Sequence, residues 1–276
     1  MLRMAHRMLL NDRIVQERLG ESREDIEGAV CVDVQSLYAV FREQDSRLKH
    51  PRDLHVLMRS CVGNLRMPHK NVIFEFKDDG GREHGVWCCE CVGQVSVSVC
   101  TAIQGQASRL FGCWIVGVDE HGQHDGTDFV MPLFDDGVIR RFSQHQAALM
   151  TSVSTLHVFG LFCLSMLNCR RQTELIERPE FNPPDKWLRR QKQPKLRYHV
   201  LSIDPLKKML RYDEKADPTG KELAWHLCRG HWKHYTAEKP RLGKYVGSVW
   251  CPPHARGKKE NGVVLKEYKV ETAGVS

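Results

Sequence analysis

The sequence lacks the short motifs that announce the commonest chemistries. It holds no G-x-x-x-x-G-K-[ST] or G-x-G-x-x-G loop, no G-x-S-x-G elbow and no H-E-x-x-H pair. P-loop phosphoryl transfer, Rossmann-type dinucleotide binding, α/β-hydrolase chemistry and zincin proteolysis are therefore without a signature. An internal repeat is missing too, which removes solenoids and propellers. The opening MLRMAHRMLLNDRIVQERLG carries neither the apolar centre nor the small-residue cleavage site of a secretory signal. The cysteines are odd in number (11) and scattered, which points to reduced thiols in a cytoplasmic protein rather than a disulfide scaffold.

Long hydrophobic runs are scarce. The longest uncharged stretch includes AALMTSVSTLHVFGLFCLSML, residues 147–167, which has the length to cross a bilayer. Thr151, Ser152, Ser154, Thr155, His157, Gly160 and Ser165 interrupt it, so the sequence predicts a long core helix and no membrane span. With hydrophobic residues at 41% and charged residues at 27%, the chain has the balance of a folded protein, not a disordered one.

What the sequence does have is charge asymmetry. Residues 185–276 contain 21 Lys+Arg against 10 Asp+Glu, a net of +11, while residues 1–184 hold 20 against 24, a net of −4. A segment this basic suits a polyanion such as RNA or DNA, whose condensed counterions are released on binding. The plain alternative is a solvated basic surface.

Patterning gives the fold class. Residues 1–20 space their leucines helically, and GAVCVDVQSLYAVFREQD (28–45) starts as a strand and continues as a helix. PRDLHVLMRSCVGNL (51–65) begins with Pro at a helix start. From 70 to 142, alternation around DDGG and EHGQHDG predicts three to five antiparallel strands. Strands in a run followed by a helix make this an α+β chain: an antiparallel sheet, a long covering helix, and a small basic β-rich C-terminal module. The expected divisions are a mixed domain over 1–180, a proline-containing basic connector over 181–196, and the module over 197–276.

The chemistry concentrates in HLCRGHWKHY (226–235) and CPPHARGKK (251–259). Cys228 and His231 are spaced C-x2-H, and Cys251 and His254 repeat the spacing, as in the two knuckles of a tetrahedral structural zinc site. A second reading takes 222–235 as one strand, so that Arg229, His231, Lys233 and Tyr235 share a face, with His226 nearby. Such a row suits metal-independent phosphodiester cleavage: His231 moves a proton and Arg229 neutralises the transition state. A third needs no catalysis: Lys233, His254, Arg256, Lys258 and Lys259 hold phosphates while Trp232 and its aromatic neighbours stack bases. Upstream, CCEC (88–91) places Cys88 and Cys89 on opposite faces of a strand, which favours core thiols over a metal knuckle.

The tail also resembles a module at the C-terminus of uncharacterised phage and mobile-element proteins. The resemblance rests on His226, Arg229, Gly230, His231 and Tyr235, then Gly243, then Trp250, Pro252, His254, Arg256 and Gly257, and finally the strand from Val263 to Tyr268. It covers roughly 160–270 and implies a phage or prophage setting without an established activity. The expected role is nucleic-acid association, toxin-like or host-modulating. The alternatives are a ribonuclease, and a factor that binds and inhibits a host or phage protein.

Overall fold

The computed structural model describes residues 3–10, 23–45, 62–91, 94–103, 106–131, 146–169, 172–204, 224–228, 231–241, 246–251, 254–256 and 258–264. The elements up to the long helix are α1 (Met4–Leu10), α2 (Arg23–Glu27), β1 (Val30–Asp33), α3 (Gln35–Asp45), β2 (Asn71–Lys77), β3 (Glu83–Cys91), β4 (Gln94–Ile103), β5 (Gln106–Val118), β6 (His124–Met131) and α4 (Gln146–Leu167). There follow β7 (Glu174–Glu177), a 3-10 turn at Pro179–Phe181, α5 (Asp185–Arg190), β8 (Arg197–Ser202), β9 (Ala224–Cys228), β10 (His231–Tyr235), β11 (Gly247–Cys251), β12 (His254–Arg256) and β13 (Lys258–Val264).

Eight strands form one mixed sheet in the order β6-β5-β4-β3-β2-β1-β8-β7. The predicted antiparallel run is the meander β2 to β6, and β1 then lies parallel to both β2 and β8. A parallel strand is covered on both faces and needs a near-continuous apolar run, which Val30, Cys31 and Val32 supply. Alternation along the strands feeds two buried clusters. Val72, Phe74, Val86, Cys88 and Val97 join α3 and α4, whereas Ile73, Trp87, Cys89 and Tyr198 join α1 and α2. Cys88 and Cys89 therefore fall on opposite faces, both buried.

Helix α4 lies close against the sheet at Gly160. A Cβ there would stand 2.5 Å from Val86 Cγ1 and 3.0 Å from Val97 Cγ1. Rings extend the contact sideways: Phe159 meets Phe76 at 4.7 Å and Phe41 at 4.9 Å between centroids, and Tyr38 stacks on Phe76 at 4.9 Å.

On the opposite face, α1 is fastened by polar groups. Glu75 is fully buried, and its Oε1 accepts the Ala5 N–H at 2.8 Å, satisfying a first-turn donor that a short helix leaves open. Arg3 donates to Asp33 Oδ2 at 2.6 Å and stands 3.9 Å from Glu75 Oε2. Burial pushes the Glu75 carboxyl up to about 7, against the opposing effects of the Ala5 N–H and the Arg3 guanidinium.

Three elements differ from the sequence-based expectation. The helix expected over 51–65 has no helical turn in its described part, 62–65, and residues 51–61 lie outside the described residues. Strand β8, expected in the tail module, bonds to β1 instead. The expected connector over 181–196 is packed, not free: Leu188 and Leu196 are buried, and Phe181 lies 3.8 Å under the Arg3 guanidinium. Its prolines and cations suggest a linker because they occupy the solvent side of a folded segment. Asn182 holds that segment shut, donating Nδ2–H to Leu196 O and accepting the Leu196 N–H, both at 2.9 Å. Gln35 clasps Lys77 in the same way, at 3.2 and 2.8 Å.

Two measurements test this packing. Gly160→Val should cost about 1–3 kcal/mol in chemical denaturation, as overpacking does; a variant as stable as the parent would refute the close approach. A carboxyl that keeps its proton longer when folded favours folding at low pH. Stability from Glu75 should therefore decline from about pH 4.5 to about pH 7, by roughly 3 kcal/mol. Glu75→Gln should remove that decline, as read from melting curves across the same window.

Candidate nucleic-acid interface

The tail strands are built onto the domain by two tryptophans. Antiparallel register sets Trp232 of β10 opposite Trp250 of β11, with ring centroids 5.2 Å apart. Trp250 is 1% exposed and meets Phe162 of α4 at 5.3 Å. Gly63 makes room for the second indole, since a Cβ there would lie 2.9 Å from the Trp232 ring. The Gly63 N–H is in turn held by Ser165 Oγ at 2.8 Å.

A side-chain amide completes the joint. The buried Gln172 donates Nε2–H to Trp250 O at 2.6 Å and accepts the Trp250 N–H at 2.7 Å. It pairs the strand as a neighbouring backbone would. Beside it, Cys169 Sγ lies 3.8 Å from Ser248 O, and burial pushes its thiol up to about 12. A thiol held protonated in this way suits packing against the hairpin.

With one face of β10 committed to the core, the other faces outward. His231 and Lys233 are exposed and Tyr235 is half-buried, which places these three on the face the sequence reading gave them. Arg229, the fourth of that row, lies outside the described residues. His234, on the tryptophan side, is exposed at the ribbon's end and engages Ser248 Oγ through Nδ1 at 2.8 Å. Trp250 is buried in the core, while Trp232 is half-buried against it. The sequence shows their aromaticity but not which side of the hairpin meets α4.

The strand expected over 222–235 is described in two segments, β9 and β10, in the sheets β12-β9-β13 and β10-β11, with residues 229–230 between them outside the described residues. Register nevertheless carries through. His226 pairs with Arg256 and Cys228 with His254, and three positions from that last pair His231 is opposite Cys251. Lys258 pairs with Ala224 in parallel, and Lys259 follows in β13. The strand registers thus gather His226, His254, Arg256 and Lys258 into one small sheet.

A second basic surface was expected only as linker charge. Lys186, Arg189, Arg190 and Lys192 are all exposed on and just after α5, while Leu188 anchors the helix and Lys195 pairs with Asp185 at 3.1 Å. Among the described side chains no three His, Cys, Asp or Glu residues are grouped to hold a metal. His121 sits exposed at the β5–β6 turn, remote in character from the buried Cys88. Among the described residues no helix is long and apolar enough to cross a membrane.

Gln172→Ala would leave both backbone groups of Trp250 unmet in a buried site. The loss should be roughly 2–4 kcal/mol, with hydrogen exchange at the Trp250 amide accelerating more than exchange in β3 and β4. Equal protection in parent and variant would mean that the joint does not depend on the amide.

Comparison with protein-family models, curated proteins and solved structures finds no match to this chain.

Proposed function

We propose that the protein associates with RNA or DNA through its basic C-terminal strands, in a phage or mobile-element setting. The observation that carries this reading is a hairpin with divided faces. Tryptophans bind one face to the core, leaving His231 and Lys233 exposed on the other. The cations of α5 and the net charge of +11 over residues 185–276 add support. Such surfaces bind phosphate oxygens without reading sequence, and their affinity is lost as salt rises. His226, Arg229, His254, Arg256, Lys258 and Lys259 are the further phosphate contacts in this reading. The phage setting rests on the resemblance of the tail motif.

The test is fluorescence anisotropy of the full chain with labelled RNA and duplex DNA across a salt series. The tail is not tested as a fragment, because Trp250 belongs to the core. Affinity should fall steeply as salt rises, and Lys233→Glu combined with Lys258→Glu and Lys259→Glu should weaken binding at least tenfold and flatten the salt dependence. Each lost phosphate contact lowers the slope by about 0.9 on duplex DNA and about 0.7 on single strands. No binding at low salt would overturn the proposal and favour a protein-binding role. Shortened RNA on a denaturing gel, abolished by His231→Ala, would replace simple binding with cleavage.

A further inference from the structure

The large sheet ends in a strand that is open to solvent. Strand β7 is the last in the order of strands and bonds to β8. All four of its residues are exposed, as is Arg178 after it. Leu175 and Ile176 are 38% and 36% exposed, which is unusual for large apolar side chains of this chain. The flanking charges are of opposite sign, Glu174 before the apolar pair and Glu177 with Arg178 after it. Arg178 meets the exposed Glu180 at 3.3 Å, and among the described residues Glu174 makes no ion pair.

Register decides which backbone groups of this edge point outward. Glu174 lies opposite Ser202 and Glu177 opposite His199, and the Arg178 N–H donates to Tyr198 O at 2.8 Å. In an antiparallel ladder, successive residues turn their N–H and C=O groups to alternate sides. Glu174, Ile176 and Arg178 therefore turn theirs toward β8, and Leu175 and Glu177 turn theirs away from it. Side chains alternate between faces as well. Glu174, Ile176 and Arg178 share the face of Tyr198, whereas Leu175 and Glu177 share the face of Leu201. An incoming strand can be bonded only where its own outward groups stand opposite Leu175 and Glu177.

We propose that the occupant of this edge is a second copy of the chain, whose β7 pairs antiparallel with the first about a two-fold axis at Ile176. Such an interface is self-complementary. Leu175 and Glu177 of the partner subunit stand opposite Glu177 and Leu175, and each pair exchanges both backbone bonds. Ile176 meets the partner's Ile176 in the close, non-bonded position between them. Glu174 then faces the partner's Arg178, and Arg178 faces the partner's Glu174, so opposite charges meet at both ends of one face. The neighbouring registers fail. A shift of two residues one way sets Glu177 against the partner's Glu177, a pair of like charges. A shift the other way requires the Thr173 N–H, which Cys169 O already accepts at 3.1 Å. A ladder this short belongs with interfaces below about 1,200 Å², so the dimer is reversible and forms with rising concentration. The inference does not rest on nucleic-acid association.

The experiment is sedimentation velocity of the full chain, freed of nucleic acid, across a wide concentration series. The parent should pass from monomer to dimer. Arg178→Glu and Glu174→Arg should each weaken the dimer by about tenfold or more, since two attractive pairs become two repulsive ones. The double variant carrying both changes should regain parental dimerisation, because the charges are exchanged and still opposite. Leu175→Pro removes an outward N–H that β8 does not use, so it should block the ladder. A parent that stays monomeric throughout overturns the proposal, including one that instead takes up an extended peptide. A dimer indifferent to the single charge reversals, or one not restored by the double variant, overturns it as well. All the charge variants lie on exposed positions, and far-UV circular dichroism confirms that each is folded. If the proline variant does not fold, the reversal and its rescue decide the matter alone.

Discussion

Everything in the large sheet turns on a four-residue strand bonded along both edges. Val30 to Asp33 pairs in parallel with β2 on one side and β8 on the other. Remove it, and the meander β2 to β6 and the hairpin β7–β8 lose their only shared ladder in this order of strands. The strand carries no polar residue before Asp33, and Asp33 itself is held by Arg3 and caps the entry to α3 through the Gln35 N–H at 3.0 Å. The same four residues therefore fix the sheet, the start of α3 and the attachment of α1.

A recurrent device closes the remaining joints. Gln35, Gln172 and Asn182 each use one side-chain amide to give and take a hydrogen bond with a single backbone residue, Lys77, Trp250 and Leu196 respectively. An amide can do this because it carries donor and acceptor in the spacing of a peptide group. It meets both polar groups of one backbone residue, and at Trp250, where the pair is buried, that pairing is required. The apolar counterpart is the row of rings from Tyr38 through Phe76, Phe159, Phe41 and Phe162 to Trp250 and Trp232. Together these make the tail hairpin part of the domain.

Much of the large sheet was legible because its signals are local. Alternation in NVIFEFK and GQVSVSV reads directly as strands, and the CCEC period divides its thiols correctly between faces. The connection of β8 to β1 was not legible, since proline and charge over 181–196 describe the solvent side of a segment whatever lies beneath it. Glu75 was a visible anomaly, one acid within a buried apolar strand, but nothing nearby in sequence names Arg3 or Ala5 as its partners. In the tail, the C-x2-H spacing was plain, whereas the crosswise pairing of the two copies needed the strand register. Gln172 gave no signal at all, because a partner 78 residues away leaves no trace in local pattern.

The parallel bond between β1 and β8 has a consequence for the chain as it is made. Val30 and its partner Arg197 are 167 residues apart. At about 5–20 residues per second, synthesis reaches the second roughly 8–33 s after the first. For that interval one edge of β1 faces the cell with its amides and carbonyls unmatched, and the α4 surface waits longer still for Trp250. An open apolar strand edge is a template for pairing with another chain. The nascent protein therefore has a defined window in which a chaperone, or crowding by its own copies, decides between folding and aggregation.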